Sequence, residues 1–356
     1  MLIKKLLHAG LAIGLALSGL GLSAAQAQEG MADTLRQPTL DALKGKKVVF
    51  VPMSMSFDLP EGWAAIMGKE ASRLGYTLDI RDANWSTDTG TRALTQAITE
   101  KPDLIIVQNF DVASYARTLK KAVDAGIKVI QVNMKSSYQT DAFVGADWYG
   151  IGEYAANRMI EKCGKESGKS GKIALIQGPA TAAASVYQLN AITETLKDRD
   201  DIKIVSSQTG DWDQSKARGI AQTVIQQNPD LCGIIGFWDA MDAGTGAAIK
   251  ESGKDIYLIT SGGGNKTACQ GVENGTFNEV ISYDVEGQGR DLNNAIKVLL
   301  QSPEPAGKLQ FALYTPQQDR QQRDDVEYQL LGPRCSEEIK TIGRLELLQS
   351  NSDIAA

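Results

Sequence analysis

Short apolar runs alternate with longer amphipathic stretches along most of the chain, and this alternation predicts an α/β fold. Several runs, such as Leu104–Val107 and Ile173–Ile176, are apolar at every position. Such runs are typical of parallel strands that helices cover on both faces. Strands are expected at 47–52, 77–81, 104–108, 128–132, 142–145, 172–177, 202–206, 233–237, 256–260, 278–283 and 311–315. Helices are expected at 62–73, 88–100, 113–124, 148–163, 185–197, 213–227, 241–252, 266–274 and 286–300, after a polar lead at 28–45.

The junction at Asp147 divides this series of strands and helices into two halves. The apolar run Phe143–Gly145 ends just before Asp147, a residue type that favours the helix N-cap, and a helical pattern follows directly. We interpret the junction as the first crossing between two lobes. Asp147 and Trp148 are therefore expected at the mouth of the space between the lobes.

The two halves also repeat each other at a constant offset. Asn84-Trp85-Ser86 matches Asp211-Trp212-Asp213, Lys101-Pro102-Asp103-Leu104 matches Asn228-Pro229-Asp230-Leu231, and Ala125-Gly126 matches Ser252-Gly253. Three matches in one register predict two similar doubly wound parallel-sheet lobes. Further crossings near Tyr283 and Thr315 complete a three-segment hinge. The expected lobes are 46–147 plus 283–314 and 148–282 plus 315–340, followed by a tail at 341–356.

The first 27 residues have the pattern of a secretory signal peptide. Lys4 and Lys5 precede an apolar run, and Ala25-Gln26-Ala27 provides small residues for cleavage after Ala27. Loss of the two lysines changes the formal charge from −6 to −8, so nucleic acid is not expected as a partner. We expect an exported, periplasmic protein. The single histidine, His8, lies in this segment, which excludes histidine-dependent catalysis and histidine metal sites in the mature chain.

Four cysteines remain after cleavage, and an exported protein allows them to form disulfides. Cys163 ends the helix after the crossing, and Cys232 opens a later strand at the same end of the second lobe. Of the three possible pairings, we favour Cys163–Cys232 and Cys269–Cys335. A metal site is disfavoured because no C-x-x-C pair occurs, and no cofactor is expected.

Aromatic and polar residues gather where predicted strands end and helices begin. In open α/β sheets these carboxyl-end positions bind ligands, and flat rings surrounded by hydrogen-bonding groups suit a small polyhydroxylated ligand. Trp85 and its repeat partner Trp212 are also typical of structural residues at helix starts, and Trp148 and Trp238 are stronger candidates for ligand contact. The candidate ligand-binding residues are Phe57, Asp58, Asn109, Phe110, Asn133, Lys135, Asp147, Trp148, Tyr187, Gln188, Trp212, Trp238, Asp239, Gly263 and Tyr283.

Two glycine-rich segments raise alternatives. Gly150–Ala155 matches the dinucleotide fingerprint literally, but its glycines follow the helix cap instead of a strand, which argues against that function. Ser261–Lys266, which contains Gly263, is interpreted as a strand-to-helix turn that lines the cleft, with an anion site as the alternative. Asp58, Asp147 and Asp239 could form a glycosidase acid–base pair, but carboxylates also bind sugar hydroxyls, and an enzyme is not expected.

From about Lys46 to Pro316, the chain resembles the periplasmic sugar-binding proteins of ABC importers, in the ribose-binding-protein branch of the type I periplasmic binding proteins. The similarity rests on the first strand and its aromatic loop, Val144–Asp147, Ile176–Pro179, Gly210–Asp213, Phe237–Asp239, and Gly275 followed by Val280-Ile281. The resemblance implies two lobes that close on a ligand and then dock onto a permease. The family's ligand contacts carry over in part: Asn133, Met134 or Lys135, Val186 or Gln188, Trp238 and Gly262-Gly263 depart from its usual residues.

We therefore expect a monomeric receptor that binds a sugar, a sugar alcohol or a similar polar solute and delivers it to an ABC transporter permease. A ligand-sensing subunit of a signalling receptor shares all of these features and is the main alternative. A repressor of the lactose type needs a DNA-binding motif where the signal peptide lies, and a hydrolase differs by turnover.

Overall fold

The structure is a computed structural model that describes residues 33–263 and 266–314. Eleven strands alternate with helices in the described residues. The strands are β1 Lys47–Val51, β2 Thr77–Ile80, β3 Leu104–Val107, β4 Lys128–Val132, β5 Ala142–Gly145, β6 Lys172–Gln177, β7 Lys203–Thr209, β8 Gly233–Gly236, β9 Tyr257–Gly262, β10 Glu279–Ser282 and β11 Phe311–Tyr314. The α-helices are α1 Arg36–Leu43, α2 Asp58–Leu74, α3 Thr87–Glu100, α4 Ala116–Asp124, α5 Trp148–Cys163, α6 Ala183–Leu196, α7 Gln214–Gln227, α8 Asp239–Ser252, α9 Lys266–Glu273 and α10 Val285–Gln301.

The strands form two parallel sheets with the same order, which confirms the predicted α/β class and the internal repeat. The first sheet has the order β11-β5-β4-β3-β1-β2, and the second has the order β10-β9-β8-β6-β7. Each strand of the second sheet has an equivalent in the first, and β11 is an additional edge strand parallel to β5. Each lobe is thus a doubly wound unit.

Helices cover both faces of each sheet because alternate residues of the strands point to opposite faces. Along β1, Val48 and Phe50 belong to one apolar core, and Val49 and Val51 belong to another. The first of these cores continues through the lobe junction into α5 and α6. The two lobes therefore share a packed apolar region beneath the hinge.

Two crossings between the lobes lie in the described residues. The chain passes from β5 of the first sheet into α5, where the Asp147 carboxylate accepts a hydrogen bond from the Gly150 amide at 3.1 Å, as its N-cap role predicts. It returns between β10 and α10, and α10 packs on α2 through Asn293, whose Nδ2 donates to the Ile66 carbonyl at 3.4 Å. The third crossing, predicted near Thr315, lies outside the described residues.

The position of β10 at the second crossing is stabilised by a buried charge. Glu279, 6% exposed, accepts hydrogen bonds from the Tyr154 hydroxyl at 2.6 Å and the Arg158 Nε at 2.8 Å, and from Tyr257. A buried carboxylate needs such partners because its hydration is lost. The network holds β9 and β10 against α5.

The Cys163–Cys232 disulfide is present, as predicted, and joins the end of α5 to the residue before β8. The Cys269–Cys335 pairing remains a prediction, since Cys335 and the Cys269 side chain lie outside the description. The predicted signal peptide, segment 315–340 and the tail at 341–356 also lie outside the described residues.

The predicted polar lead at 28–45 is wrong in part, because residues Arg36–Leu43 form α1. This helix has only two turns, and an isolated helix of that length is unstable in water. Its stability comes from packing: Leu43 is fully buried. A short polar segment carries little periodicity, so its sequence pattern did not indicate a helix.

Candidate ligand-binding cleft

The carboxyl ends of strands from both sheets meet at one cleft between the lobes. Its outer part has a volume of about 830 Å³, and an inner part next to it holds about 30 Å³. The lobes touch across it, since the Val112 amide donates to the Thr181 carbonyl at 3.1 Å. The two lobes are therefore in contact next to the cleft.

Four rings, Phe57, Trp85, Trp212 and Trp238, form an aromatic cluster in the cleft. Phe57 and Trp85 come from the first lobe and stack with centroids 5.1 Å apart. Trp238, from the second lobe, contacts Phe57 at 5.8 Å, Trp85 at 6.3 Å and Trp212 at 6.0 Å. Rings from both lobes thus form one apolar surface, on which the C–H faces of a ligand can stack.

Trp85 was left out of the candidate ligand-binding residues, and the structure places it in the cluster. The internal repeat could have indicated this position, because it makes Trp85 the equivalent of the candidate Trp212. The two tryptophans also have the same unusual backbone conformation. Both have left-handed backbones, with φ of 58° and 62°. Each precedes an N-capped helix: Ser86 accepts from the Thr89 amide, and Asp213 from the Lys216 amide. This shared turn directs equivalent tryptophans of the two lobes to one cleft.

Trp148 and Tyr283 pack together at the inner end of the cleft, one at each described crossing. Their ring centroids are 4.8 Å apart, and both side chains are almost fully buried. The Trp148 Nε1 donates to the Asn133 carbonyl at 2.7 Å, and the Tyr283 hydroxyl bonds Ser261 at 2.9 Å and the Phe237 carbonyl at 3.2 Å. Their polar atoms already have protein partners, so these residues offer a ligand mainly their ring surfaces.

Asn133 and Asn109 organise the loop after β4. Asn133 has a left-handed backbone with φ 58°, which asparagine tolerates well, and its Oδ1 accepts from the Ala146 amide at 3.4 Å. Asn109 is fully buried and donates to Gln131 at 3.0 Å and to the Met134 carbonyl at 2.8 Å. Asn133 lines the inner part of the cleft, and Asn109 supports it from behind.

The remaining candidates lie at the edges of the cleft or behind it. Phe110 lines the outer part, and its ring meets the Tyr115 ring edge-on at 6.1 Å. Lys135 lies with its Nζ 4.5 Å from the ring centroids of Phe143 and Tyr314 and 5.7 Å from that of Tyr187. Gln188 is buried on α6. Seven of the candidate residues are outside the residues that line the cleft: Asn109, Lys135, Asp147, Tyr187, Gln188, Asp239 and Gly263.

Asp58, which lines the outer part of the cleft, and Asp239, which is buried, lie where glycines leave room for their carboxylates. A Cβ atom on Gly263 would be 2.8 Å from Oδ2 of Asp58, which belongs to the opposite lobe. A Cβ on Gly262 would be 2.0 Å from the carboxyl carbon of Asp239. Glycine at these two positions therefore lets both carboxylates approach the end of β9.

A third carboxylate, Asp242, is buried beneath the cleft and was not among the predicted residues. It accepts from the Thr260 hydroxyl at 2.6 Å, the Thr245 hydroxyl at 3.1 Å and the Trp238 amide at 3.1 Å. Burial raises its pKa to about 7, and these hydrogen bonds oppose that rise. Asp242 thus holds the start of α8, and with it the Trp238 backbone, in place.

The pKa of the Tyr283 hydroxyl is affected by the negative charges at this end of the cleft. Burial raises its pKa well above the usual value, the Ser261 hydrogen bond lowers it, and the charges of Asp239, Asp242 and Asp58 raise it further. Three carboxylates from two lobes therefore act on one point. The described residues contain no group of three or more acidic, histidine or cysteine side chains arranged to hold a metal ion.

Two similar α/β lobes with an aromatic and acidic cleft at their strand ends define a two-lobed binding protein. The family model described as "Periplasmic binding protein domain" matches residues 48–304. That match covers more than half of the chain, so this protein belongs to the periplasmic binding protein family, in its ribose-binding-protein-like branch. Within residues 33–263 and 266–314, no helix combines the length and apolar character needed to cross a membrane.

Relatives and solved structures agree with this family. The D-allose-binding periplasmic protein of Escherichia coli (strain K12) is 34% identical over 151 residues, which cover 41% of this chain and 48% of that protein. The ribose import binding protein of Bacillus subtilis (strain 168) is 24% identical over 223 residues, covering 62% and 71%. The match thus spans about half of the first relative. These relatives are named as solute-binding proteins and not as enzymes.

A solved fructose-binding periplasmic domain of a hybrid two-component system has the same fold. It superposes with a TM-score of 0.69 at 18% identity, over 87% of this chain and 98% of that domain. At this identity the likeness establishes the fold alone.

Proposed function

We propose that this protein captures a small polyhydroxylated solute, a sugar or a sugar alcohol, in the cleft between its lobes and delivers it to an ABC import permease. The observation that carries the proposal is the aromatic cluster, to which each lobe contributes two rings at its strand ends. A ligand between the lobes can touch both halves at once. Its binding energy then favours the closed arrangement over the open one.

The polar groups around the cluster suit hydroxyl groups. The Asp58, Asp111 and Asp213 carboxylates line the outer part and can accept hydrogen bonds from hydroxyls. The ring faces suit the C–H faces of a sugar or a polyol. Apolar stacking and several acceptors together favour a small carbohydrate over a purely apolar ligand.

Delivery to a permease is supported at the level of the family. One relative is named an import binding protein, and we propose that this chain acts likewise, as a monomer in the periplasm after cleavage at Ala27. The closed lobes would present one combined surface to the permease, because closure fixes their relative orientation.

The binding function is tested by a thermal-shift screen of sugars and polyols, followed by calorimetric titration of each hit. A ligand at 100 times its Kd stabilises the folded state by about 2.7 kcal/mol. We expect Trp238→Ala and Asp239→Ala to weaken binding at least tenfold while the protein stays folded. Tyr149→Ala is the matched control, because Tyr149 is 45% exposed and outside the cleft lining. No shift with any carbohydrate or polyol at millimolar concentration would contradict the proposal.

The delivery function requires a separate assay. The permease and its ATPase, reconstituted in liposomes, should hydrolyse ATP faster when the liganded protein is added. Ligand-dependent stimulation of a membrane histidine kinase, with no effect on the ATPase, would instead identify a sensor subunit and refute delivery.

A further inference from the structure

Each lobe places an aromatic residue directly before an aspartate at the start of a helix, and the two pairs meet across the cleft. Phe57 is the N-cap residue of α2, and Asp58 is its first residue. Trp238 and Asp239 occupy the same positions at α8. The Phe57 and Trp238 rings contact each other at 5.8 Å. The cleft therefore combines two ring–carboxylate pairs of the same construction.

The end of β9 provides space for both carboxylates. Gly263 lies opposite Asp58, and Gly262 lies next to Asp239, at distances that a side chain would not permit. A larger residue at either position would have to displace the neighbouring carboxylate. The local sequence of β9 thus keeps negative charge close to the aromatic cluster.

Asp58 has no basic partner among the described side chains. It makes no hydrogen bond or ion pair with any described residue, and the described lining of the cleft contains no Lys or Arg. Two described lysines at the hinge and the rim have other partners. Lys135 lies against the Phe143 and Tyr314 rings behind the hinge, and Lys216 pairs with Asp211 at the rim. Closure over a neutral ligand would therefore leave the Asp58 charge partly desolvated without a counter-charge.

Charge compensation distinguishes two kinds of ligand. Hydroxyl groups can donate hydrogen bonds to a carboxylate, but they leave its charge unbalanced, and desolvating an unpaired ion is strongly unfavourable. An ammonium group donates hydrogen bonds and also balances the charge. The faces of tryptophan and phenylalanine rings attract cations in addition. An ammonium group can therefore interact favourably with the carboxylate and with the ring faces.

We infer that the solute carries an ammonium group besides its hydroxyls and that this group binds against the aromatic cluster beside the Asp58 carboxylate. The ligand class is an amino sugar, an amino polyol or an aminocyclitol. This inference rests on the proposed function, since it names the chemistry of a ligand in the same cleft. Asp58 supplies the carboxylate, and the rings supply the cation-binding face.

The experiment compares cationic probes with neutral isosteres on the full mature protein. The pairs are D-glucosamine with D-glucose, 1-amino-1-deoxysorbitol with sorbitol, and choline with 3,3-dimethyl-1-butanol. Calorimetric titrations are run at about pH 6, where the primary amines are protonated. We expect the cation to bind at least tenfold more tightly in one pair or more, which corresponds to about 1.4 kcal/mol.

Two variants locate the effect. Asp58→Asn should reduce the preference for the cation to about threefold or less, and added salt should weaken binding of the cation to the wild type. Asp88→Asn is the matched control, because it removes an exposed carboxylate of the same lobe at the start of α3. It should keep the preference.

The possible outcomes separate this inference from the proposed function. If sugars or polyols bind and no cationic probe binds more tightly than its isostere, the inference is refuted and the proposed function stands. If neither cationic nor neutral probes bind, both are refuted. A cation preference that persists in Asp58→Asn refutes the role of Asp58.

Discussion

Removal of the Cys163–Cys232 disulfide should destabilise the second lobe by an amount that follows from its position. The two cysteines are 69 residues apart, and the loop that they close contains β6, α6, β7 and α7. Closing a loop of this length lowers the entropy of the unfolded chain by about 15 cal/mol/K, or about 4 kcal/mol at room temperature. We expect Cys163→Ala/Cys232→Ala to lose about that much free energy of unfolding.

The assay is urea unfolding followed by far-UV circular dichroism, with thermal unfolding as a second measurement. For a domain of this size, the loss corresponds to a decrease in Tm on the order of 10 °C. The substitution avoids a reductant, which would also act on Cys269 and Cys335. Ligand affinity should stay unchanged, because the bond lies at the end of the lobe opposite the cleft.

The single variants provide the control. Cys163→Ala and Cys232→Ala each remove the same bond, so the double variant should be about as unstable as either single one. A loss below about 1 kcal/mol in the double variant would refute the loop-entropy argument. So would single-variant losses that add up in the double variant.

Two further predictions concern the buried groups of the fold. The pKa of Asp242 is raised from 3.8 to about 7, so this carboxyl binds a proton more tightly in the folded state than in the unfolded state. Its contribution to stability is therefore fully present below about pH 4 and is lost as the pH rises through about 7. In urea unfolding, Asp242→Asn should therefore gain stability relative to the wild type between about pH 4 and pH 8, and parallel pH profiles would contradict this. Gly90→Ala places a Cβ 1.7 Å from the buried Tyr115 hydroxyl and should cost about 1–3 kcal/mol. Gly219→Ala meets nothing within 4 Å on α7 and should gain about 0.5–1 kcal/mol; equal Tm values for the two alanine variants would show that the close contact is relieved.

Much of the fold could be predicted because the sequence patterns that indicate strands and helices are local. Continuous apolar runs such as β3 predicted buried parallel strands. Half of the predicted strand ends coincide with the observed ones, and the others differ by one to three residues. The repeat, with its constant offset of 127 residues (212 − 85), predicted equal topologies, and both sheets have the same strand order apart from β11. The positions of Cys163 and Cys232 at element ends favoured their pairing among three possible ones, and the structure confirms it. The short helix α1 escaped prediction because packing, and not periodicity, stabilises it.

The cleft residues were predicted as a group but not in their individual contacts. Strand ends indicated that these residues lie near the cleft, but Trp148 was expected at its mouth and is buried at its inner end. No pattern showed that the Trp148 Nε1 and the Tyr283 hydroxyl donate to backbone carbonyls. Trp85 has the same position in the repeat as Trp212, but its contact with Trp238 crosses the lobes. Asp242 gave no signal, since an aspartate in a helix is ordinary until its burial is known.

Properties that depend on local sequence patterns could therefore be predicted from the residues: strand and helix positions, the two-lobed α/β class and the helix cap at Asp147. Contacts between distant segments required the folded arrangement. The aromatic cluster and the approach of Asp58 to Gly263 join segments that are far apart in sequence. Such contacts depend on the angle at which two whole lobes meet, and that angle results from packing across the hinge, which no local pattern encodes.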